Sequence, residues 1–202
     1  ISKYNDSAIV KYRRILMTYL LVIFITIIVY KFWPFMTLLL FILISAYHFG
    51  EQHFEYLEKS LYNILIYTFQ FLYGLFILSL LFYFNSAEVK TVIGEMTAKQ
   101  IDEQFFYNLL CIVGILLILN GIYIGIKSAA FYYRIIVEIF YVIVFVIIFK
   151  STTLIWGFAL YFILWHSIPS IVSQIDFIYG ITNQVSIIKY LRTGFVFWII
   201  SL

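Results

Sequence analysis

The side chains in this sequence best suited to metal chemistry are its three histidines, His48, His53 and His166. Neutral imidazole is the commonest side-chain metal ligand and suits iron, copper and zinc. His48 and His53 lie close together and have Glu51 and Glu55 beside them, whereas His166 follows much later in the chain. We therefore weigh a metal site against the alternative that each histidine is an interfacial or hydrogen-bonded core residue.

If the chain around His48 is a continuous helix, one face of that helix carries several polar side chains. Helical i+3, i+4 and i+7 spacing places three residues on the face of His48, namely Glu51, Gln52 and Glu55. A metal ion would then be held by His48, His166 and a glutamate, as in the two-His-one-carboxylate sites of non-haem iron oxygenases. The glutamates otherwise orient an imidazole N–H of a ligand or are solvated at the membrane interface.

His53 belongs to a different face of such a helix. It points about 140° away from His48, because each residue turns a helix by about 100°. The two side chains can converge only if the helix breaks, and Gly50 is the candidate point for a break. The second set of ligands that the spacing allows is therefore His48, His53 and His166 around a broken helix.

The composition places these residues in a membrane protein. Of the 202 residues, 64% are hydrophobic and 11% are charged, and the mean hydropathy is +1.03. A soluble domain keeps about a quarter of its residues charged, so we predict an all-α, polytopic transmembrane helical bundle. Aromatic residues make up 22% and either face lipid or line a tunnel for a long apolar molecule. The single cysteine, Cys111, excludes an internal disulfide and a Cys-based metal cluster.

Apolar runs of about 20 residues can cross a bilayer and predict six to seven spans, at Ile15–Trp33, Phe35–Phe49, Leu61–Phe84, Phe105–Ile126, Phe131–Phe149, Thr152–Val172 and Ile187–Leu202. The one long connection, Asn85–Gln104, is predicted to be a polar loop. Pro169 is expected to kink the sixth span just after His166 and to free backbone carbonyls there. Because the sequence opens on a polar stretch without methionine and stops within an apolar run, we expect residues 1–202 to be a single integral membrane domain truncated at both ends.

The loops predict the orientation of the bundle. Nine of the 13 lysines and arginines fall on the side of the first residues, which the positive-inside rule makes cytoplasmic. All three histidines then lie in the cytoplasmic half of the membrane or at its surface. Glu138, four residues after Arg134, lies near the same end of the fifth span. It is expected either to form an i,i+4 ion pair that snorkels or to support a metal ligand.

Two segments resemble sequence elements of the Brp/Blh family. The first is similar to the family's Ser-x-x-His-Phe-Gly element and runs Ser45-Ala46-Tyr47-His48-Phe49-Gly50-Glu51. The second resembles its later element, aromatic residues followed by His-Ser, and consists of Tyr161-Phe162 and Trp165-His166-Ser167. The order of the elements, their separation and the hydropathy between them also agree with the family.

This resemblance implies an oxidoreductase of the bacterial inner membrane. Members of the family cleave β-carotene at its central double bond with O2 and a non-haem iron, Fe(2+), and give two retinal molecules. His48 and His166 would be iron ligands, and His53 would complete the ligand set. Independently of the resemblance, we expect the carboxylates Glu51, Glu55 and Glu138 to accept hydrogen bonds from the metal ligands and so orient them. The implied partners are β-carotene, O2 and the lipid bilayer, with a functional link to a retinal-binding rhodopsin and no nucleic acid.

The chain departs from the family pattern at two places. An early His-Gly element of the family has no counterpart here, which the expected truncation would explain. Ser170 stands where the family commonly has a second histidine four residues after the His-Ser one, so the full ligand set stays open. The alternative function is a transporter or channel for metal ions or protons with a His/Glu relay, although these polar groups gather at one membrane face. Three histidines are too few for a two-iron membrane desaturase.

Overall fold

The computed structural model of the protein describes residues 2–54 and 63–201, and every regular element in these two ranges is helical. The elements described are α1 (Ser2–Phe32), α2 (Pro34–Phe54), α3 (Asn63–Phe84), α4 (Ser86–Thr97), α5 (Glu103–Lys127), α6 (Ala129–Ser151), α7 (Leu154–Tyr161), a π-helical segment (Phe162–Ser167), α8 (Ile168–Tyr179) and α9 (Gln184–Ser201). The prediction of an all-α helical bundle is confirmed.

Within the described residues, five helical stretches are long and apolar enough to cross a membrane. They are Arg13–Phe32, Pro34–Phe54, Ile64–Phe84, Glu103–Lys127 and Leu154–Tyr179. This number is close to the six to seven spans predicted, and the two remaining predicted spans are helical as α6 and α9. Residues 61, 62 and 202, which begin and end two predicted spans, lie outside the described residues.

The prediction of a polar loop at Asn85–Gln104 is wrong, because most of this segment forms the helix α4. Three of its side chains are buried, those of Val89, Ile93 and Thr97. Val89 and Ile93 pack with Phe106 at the start of α5. Apolar residues four apart therefore give α4 one buried face, which the polar composition of the whole segment concealed.

Helix α3 forms the centre of the bundle, and α2 lies directly against its backbone. A Cβ atom added to Gly50 would lie 1.7 Å from the carbonyl oxygen of Gln70, and one added to Gly74 would lie 1.8 Å from that of Ala46. Small residues permit such close approach between helices in membranes. Gly50 is thus a packing residue within an unbroken helix, and the close contact fixes the height of α2 along α3.

Candidate metal centre and neighbouring groove

Helix α2 carries polar residues of two clusters on two of its faces. It continues without interruption through Gly50. His48 is exposed and Gln52 follows one turn later, half-buried, whereas His53 is buried against Tyr73 of α3. The break at Gly50 that the broken-helix arrangement requires is therefore absent, and His48 and His53 lie on different faces of α2.

The first cluster, the histidine centre, consists of His48, Gln52 and His166. The imidazole rings of His48 and His166 have their centroids 4.9 Å apart and are inclined by 72°. The rings of Phe49 and Phe162 flank His166, with centroids 5.2 and 4.9 Å from it. The fold thus brings together the two histidines on which the sequence resemblance depends.

His166 belongs to the π-helical segment in the middle of the Leu154–Tyr179 stretch. In this wider turn the N–H of Ile168 donates to the carbonyl oxygen of Ile163, five residues earlier. Pro169, at the start of α8, has no N–H to donate. A π turn, a rare feature that is frequent at functional sites, therefore lies directly before Pro169, where a kink is predicted.

Gln52 holds the imidazole and the backbone of His166 at the same time. Its Nε2 donates to the carbonyl oxygen of His166 at 3.0 Å, and its Oε1 lies 2.5 Å from Nδ1 of the His166 ring. The carbonyl oxygen of His166 therefore accepts a hydrogen bond from a side chain of α2. Nε2 of His166 is left as the ring nitrogen that can bind an ion.

The second cluster, the buried carboxylate centre, is formed by Glu138, His53, Tyr73 and Arg134. The side chain of Glu138 is 1% exposed. One of its carboxylate oxygens accepts a hydrogen bond from the Tyr73 hydroxyl at 2.7 Å and lies 2.9 Å from Nδ1 of His53. The other oxygen lies 2.9 Å from Nε of Arg134. The expected i,i+4 ion pair is present, but the carboxylate lies in the protein interior and does not snorkel.

Nε2 of His53 is buried and has no hydrogen-bond partner among the described residues. Its ring stacks on Tyr161 at a centroid distance of 6.5 Å, and Tyr161 in turn contacts Phe49, beside the histidine centre. In residues 2–54 and 63–201, no three His, Cys, Asp or Glu side chains converge on a common metal position. The structure therefore does not bring His53 to the His48–His166 pair.

An apolar groove lies beside the histidine centre, between α2, α3, α4 and α7. Its volume is about 420 Å³, and apart from Ser45 its lining is hydrophobic. Phe49, which contacts His166, forms part of the wall. Phe158 forms another part and stacks at 5.8 Å on Phe162, the second ring that flanks His166. The groove therefore ends next to the candidate metal ligands, and it suits a hydrocarbon.

Comparison with known proteins identifies the family of the chain. The family model described as beta-carotene 15,15'-dioxygenase matches residues 3–202. The chain belongs to this family. No curated protein matches it, and no solved structure matches it.

Membership of the β-carotene 15,15'-dioxygenase family confirms the resemblance seen in the sequence, and the family's description indicates a carotenoid dioxygenase, a general kind of oxidoreductase. It gives no support to the alternative of an ion transporter or channel.

The three glutamates predicted to support the site have different positions. Glu51 is half-buried one turn after His48, Glu138 lies in the buried carboxylate centre, and Glu55 lies outside the described residues.

Gln52 and Tyr73 are two residues of these clusters for which the sequence alone predicts no role. A signal existed for Gln52, because it lies four residues after His48 on the same helix face and is an amide in a mostly apolar span. Tyr73 gave no such signal, since it is one of 18 tyrosines, and only the packing of α3 against α6 shows that its hydroxyl meets a carboxylate.

Proposed function

We propose that the protein cleaves the central double bond of β-carotene with O2 at a ferrous iron and releases two retinal molecules. One hydrocarbon and one O2 give two aldehydes, so both oxygen atoms end in the products. The observation that carries this proposal is the pairing of His48 and His166 at the end of an apolar groove, in a chain of this family.

The donor atoms at the histidine centre fit a non-haem iron. Two imidazoles with centroids 4.9 Å apart can reach one ion between them, and Nδ1 of His166 is engaged by Gln52, which leaves Nε2 for the ion. Glu51, on the same face of α2, is the carboxylate placed to join them. When bound, ferrous iron supplies the electrons that activate O2.

The protein itself positions the hydrocarbon and keeps water away from it. A polyene dissolves in the bilayer and can enter the groove sideways between the helices. Phe49 and Phe158 form the wall nearest His166, and their rings would lie against the conjugated chain and set which double bond reaches the centre. Because the groove lining is almost wholly apolar, reactive species formed there are shielded from proton donors.

His53 and Glu138 have a supporting role in this proposal. Glu138 binds side chains from α2, α3 and its own helix, so it joins the elements that carry the site. The protein is a multi-pass component of a bacterial inner membrane, with the histidine centre toward the cytoplasmic half. Its retinal would serve a retinal-binding rhodopsin in the same membrane.

The proposal is tested by expressing the full-length protein in bacteria that make β-carotene. The cells should bleach and accumulate retinal. His48→Ala and His166→Ala should abolish both effects and remove iron from the purified protein. His53→Ala tests the ligand assignment separately, since it should leave the iron content near that of the wild type.

A control variant at an exposed polar position away from both clusters, Gln104→Ala, should bleach cells as the wild type does. Cells that stay orange while well-folded, iron-loaded protein is present would refute the proposed reaction. Unchanged iron content in both His48→Ala and His166→Ala would refute the proposed ligands.

A further inference from the structure

Gln52 is not one of the predicted metal ligands, but it contacts one of them, His166, through two hydrogen bonds. Both bonds cross a long separation in the chain and join two different helices. Neither the family pattern in the sequence nor the proposed function assigns Gln52 a role. Its two bonds, taken together, determine which nitrogen of His166 carries the proton.

The orientation of the Gln52 amide follows from its backbone partner. A peptide carbonyl oxygen only accepts hydrogen bonds, so the NH2 group of the amide must be the group that faces the His166 carbonyl, 3.0 Å away. The amide oxygen is then the atom that lies 2.5 Å from Nδ1 of the ring. The reverse amide orientation would place two acceptors against each other at the carbonyl.

The amide orientation in turn decides the tautomer of the imidazole. An amide oxygen can only accept, so Nδ1 of His166 must donate its N–H, and in the neutral ring Nε2 then carries the lone pair. An isolated imidazole has no such fixed preference. The second bond, to the backbone of the same residue, prevents the amide from rotating to suit the other tautomer.

We propose that Gln52 is a positioning residue that holds His166 in the Nδ1–H tautomer, with Nε2 ready to bind a metal ion. The part of this inference that concerns metal binding rests on the proposed function. The part that concerns the tautomer of His166 applies to the metal-free protein.

The tautomer is measured in metal-free protein labelled with ¹⁵N in histidine, at a pH at which imidazole is neutral. Protonated and unprotonated ring nitrogens differ widely in ¹⁵N chemical shift. The chain has three histidines, so His48→Asn and His53→Asn identify the His166 signals by elimination. The expected result is an Nδ1–H tautomer for His166. A wild-type protein with the proton on Nε2 would overturn the inference without any Gln52 variant.

Gln52→Met keeps the length of the side chain and removes both hydrogen bonds, whereas Gln52→Glu keeps an acceptor for Nδ1–H. Gln52→Met should populate the Nε2–H tautomer and weaken Fe(II) or Co(II) binding by about 10- to 100-fold, the usual loss when a partner of a metal-binding histidine is removed. Gln52→Glu should retain the Nδ1–H tautomer. Gln104→Met, on an exposed turn of α5, is the matched control and should change neither quantity.

The outcomes separate this inference from the proposed reaction. If the tautomer shifts in Gln52→Met and metal binding weakens, but the wild type cleaves no carotenoid, the positioning role stands and the proposed function fails. If Gln52→Met has the wild-type tautomer and wild-type metal affinity, the positioning role is refuted whatever the enzyme activity.

Discussion

The buried carboxylate centre yields a prediction about which property of Glu138 the fold requires. Replacing Glu138 with leucine removes the acceptor for the Tyr73 hydroxyl and for Nδ1 of His53, whose side chains are buried. Each buried donor left unpaired costs about 1–3 kcal/mol. Interhelical hydrogen bonds in membrane proteins contribute less on average, about 0.6 kcal/mol. We therefore expect Glu138→Leu to lower the free energy of unfolding by about 2–3 kcal/mol, the low end of the sum.

Glutamine at the same position separates hydrogen bonding from charge. Tyr73 and His53 share one oxygen of Glu138, and the single carbonyl oxygen of a glutamine can accept from both. The ion pair with Arg134 is lost, and the NH2 group of the glutamine is left facing the Arg134 guanidinium, which offers it no acceptor. The Arg134 side chain is 38% exposed and can turn toward water, and pairs of that kind contribute about 0–1 kcal/mol. Glu138→Gln, which leaves one buried group unpaired where Glu138→Leu leaves two, should therefore cost less than Glu138→Leu, about 1–2 kcal/mol.

The assay is unfolding of the purified protein in mixed detergent micelles by increasing amounts of SDS, followed by far-UV circular dichroism. Glu95, exposed on α4, provides matched controls, and Glu95→Leu and Glu95→Gln should both lie near the wild type. Equal losses for Glu138→Leu and Glu138→Gln would show that charge outweighs the acceptor. An unchanged free energy of unfolding in Glu138→Leu would show that the buried carboxylate centre does not form.

Two further predictions follow from close packing and from the groove. Gly74→Ala should lower the free energy of unfolding by at least about 1–3 kcal/mol in the same assay, because its Cβ would lie 1.8 Å from the Ala46 carbonyl oxygen. Gly94→Ala is the control and should be neutral or stabilising, because the nearest atom to its Cβ would be 3.9 Å away. Ala159→Phe, in the groove wall, should slow β-carotene cleavage several-fold in the carotenoid-producing cells while iron content stays at the wild-type level. Wild-type cleavage by that variant would place the substrate elsewhere.

The helices were largely predictable from the sequence because each is long and apolar enough to satisfy its own backbone only as a helix in lipid. The exception was Asn85–Gln104, where the buried face of α4 consists of few residues. Its Val89 and Ile93 are one turn apart and cover the end of the bundle. Average polarity over the segment predicts a loop, whereas the spacing of these two side chains agrees with a helix.

Only those features of the site that follow from residue spacing within one helix could be predicted from the sequence. The opposite orientations of His48 and His53 follow from a continuous helix, and so does the shared face of His48 and Gln52. Spacing within α2 could not show that Gly50 lies against the backbone of α3 rather than breaking α2, because a glycine is compatible with either. Only the neighbouring helix decides between them.

The contact between α2 and α3 also explains why two polar clusters form where the sequence suggested one. Gly50 and Gly74 fix the height of α2 on α3, and at that height His53 contacts both Tyr73 of α3 and Glu138 of α6. The same rigid helix then presents His48 and Gln52 on its other side. Because one unbroken helix cannot turn both histidines inward at once, the buried carboxylate centre anchors α2, and the exposed His48 is free to pair with His166 at the proposed iron site.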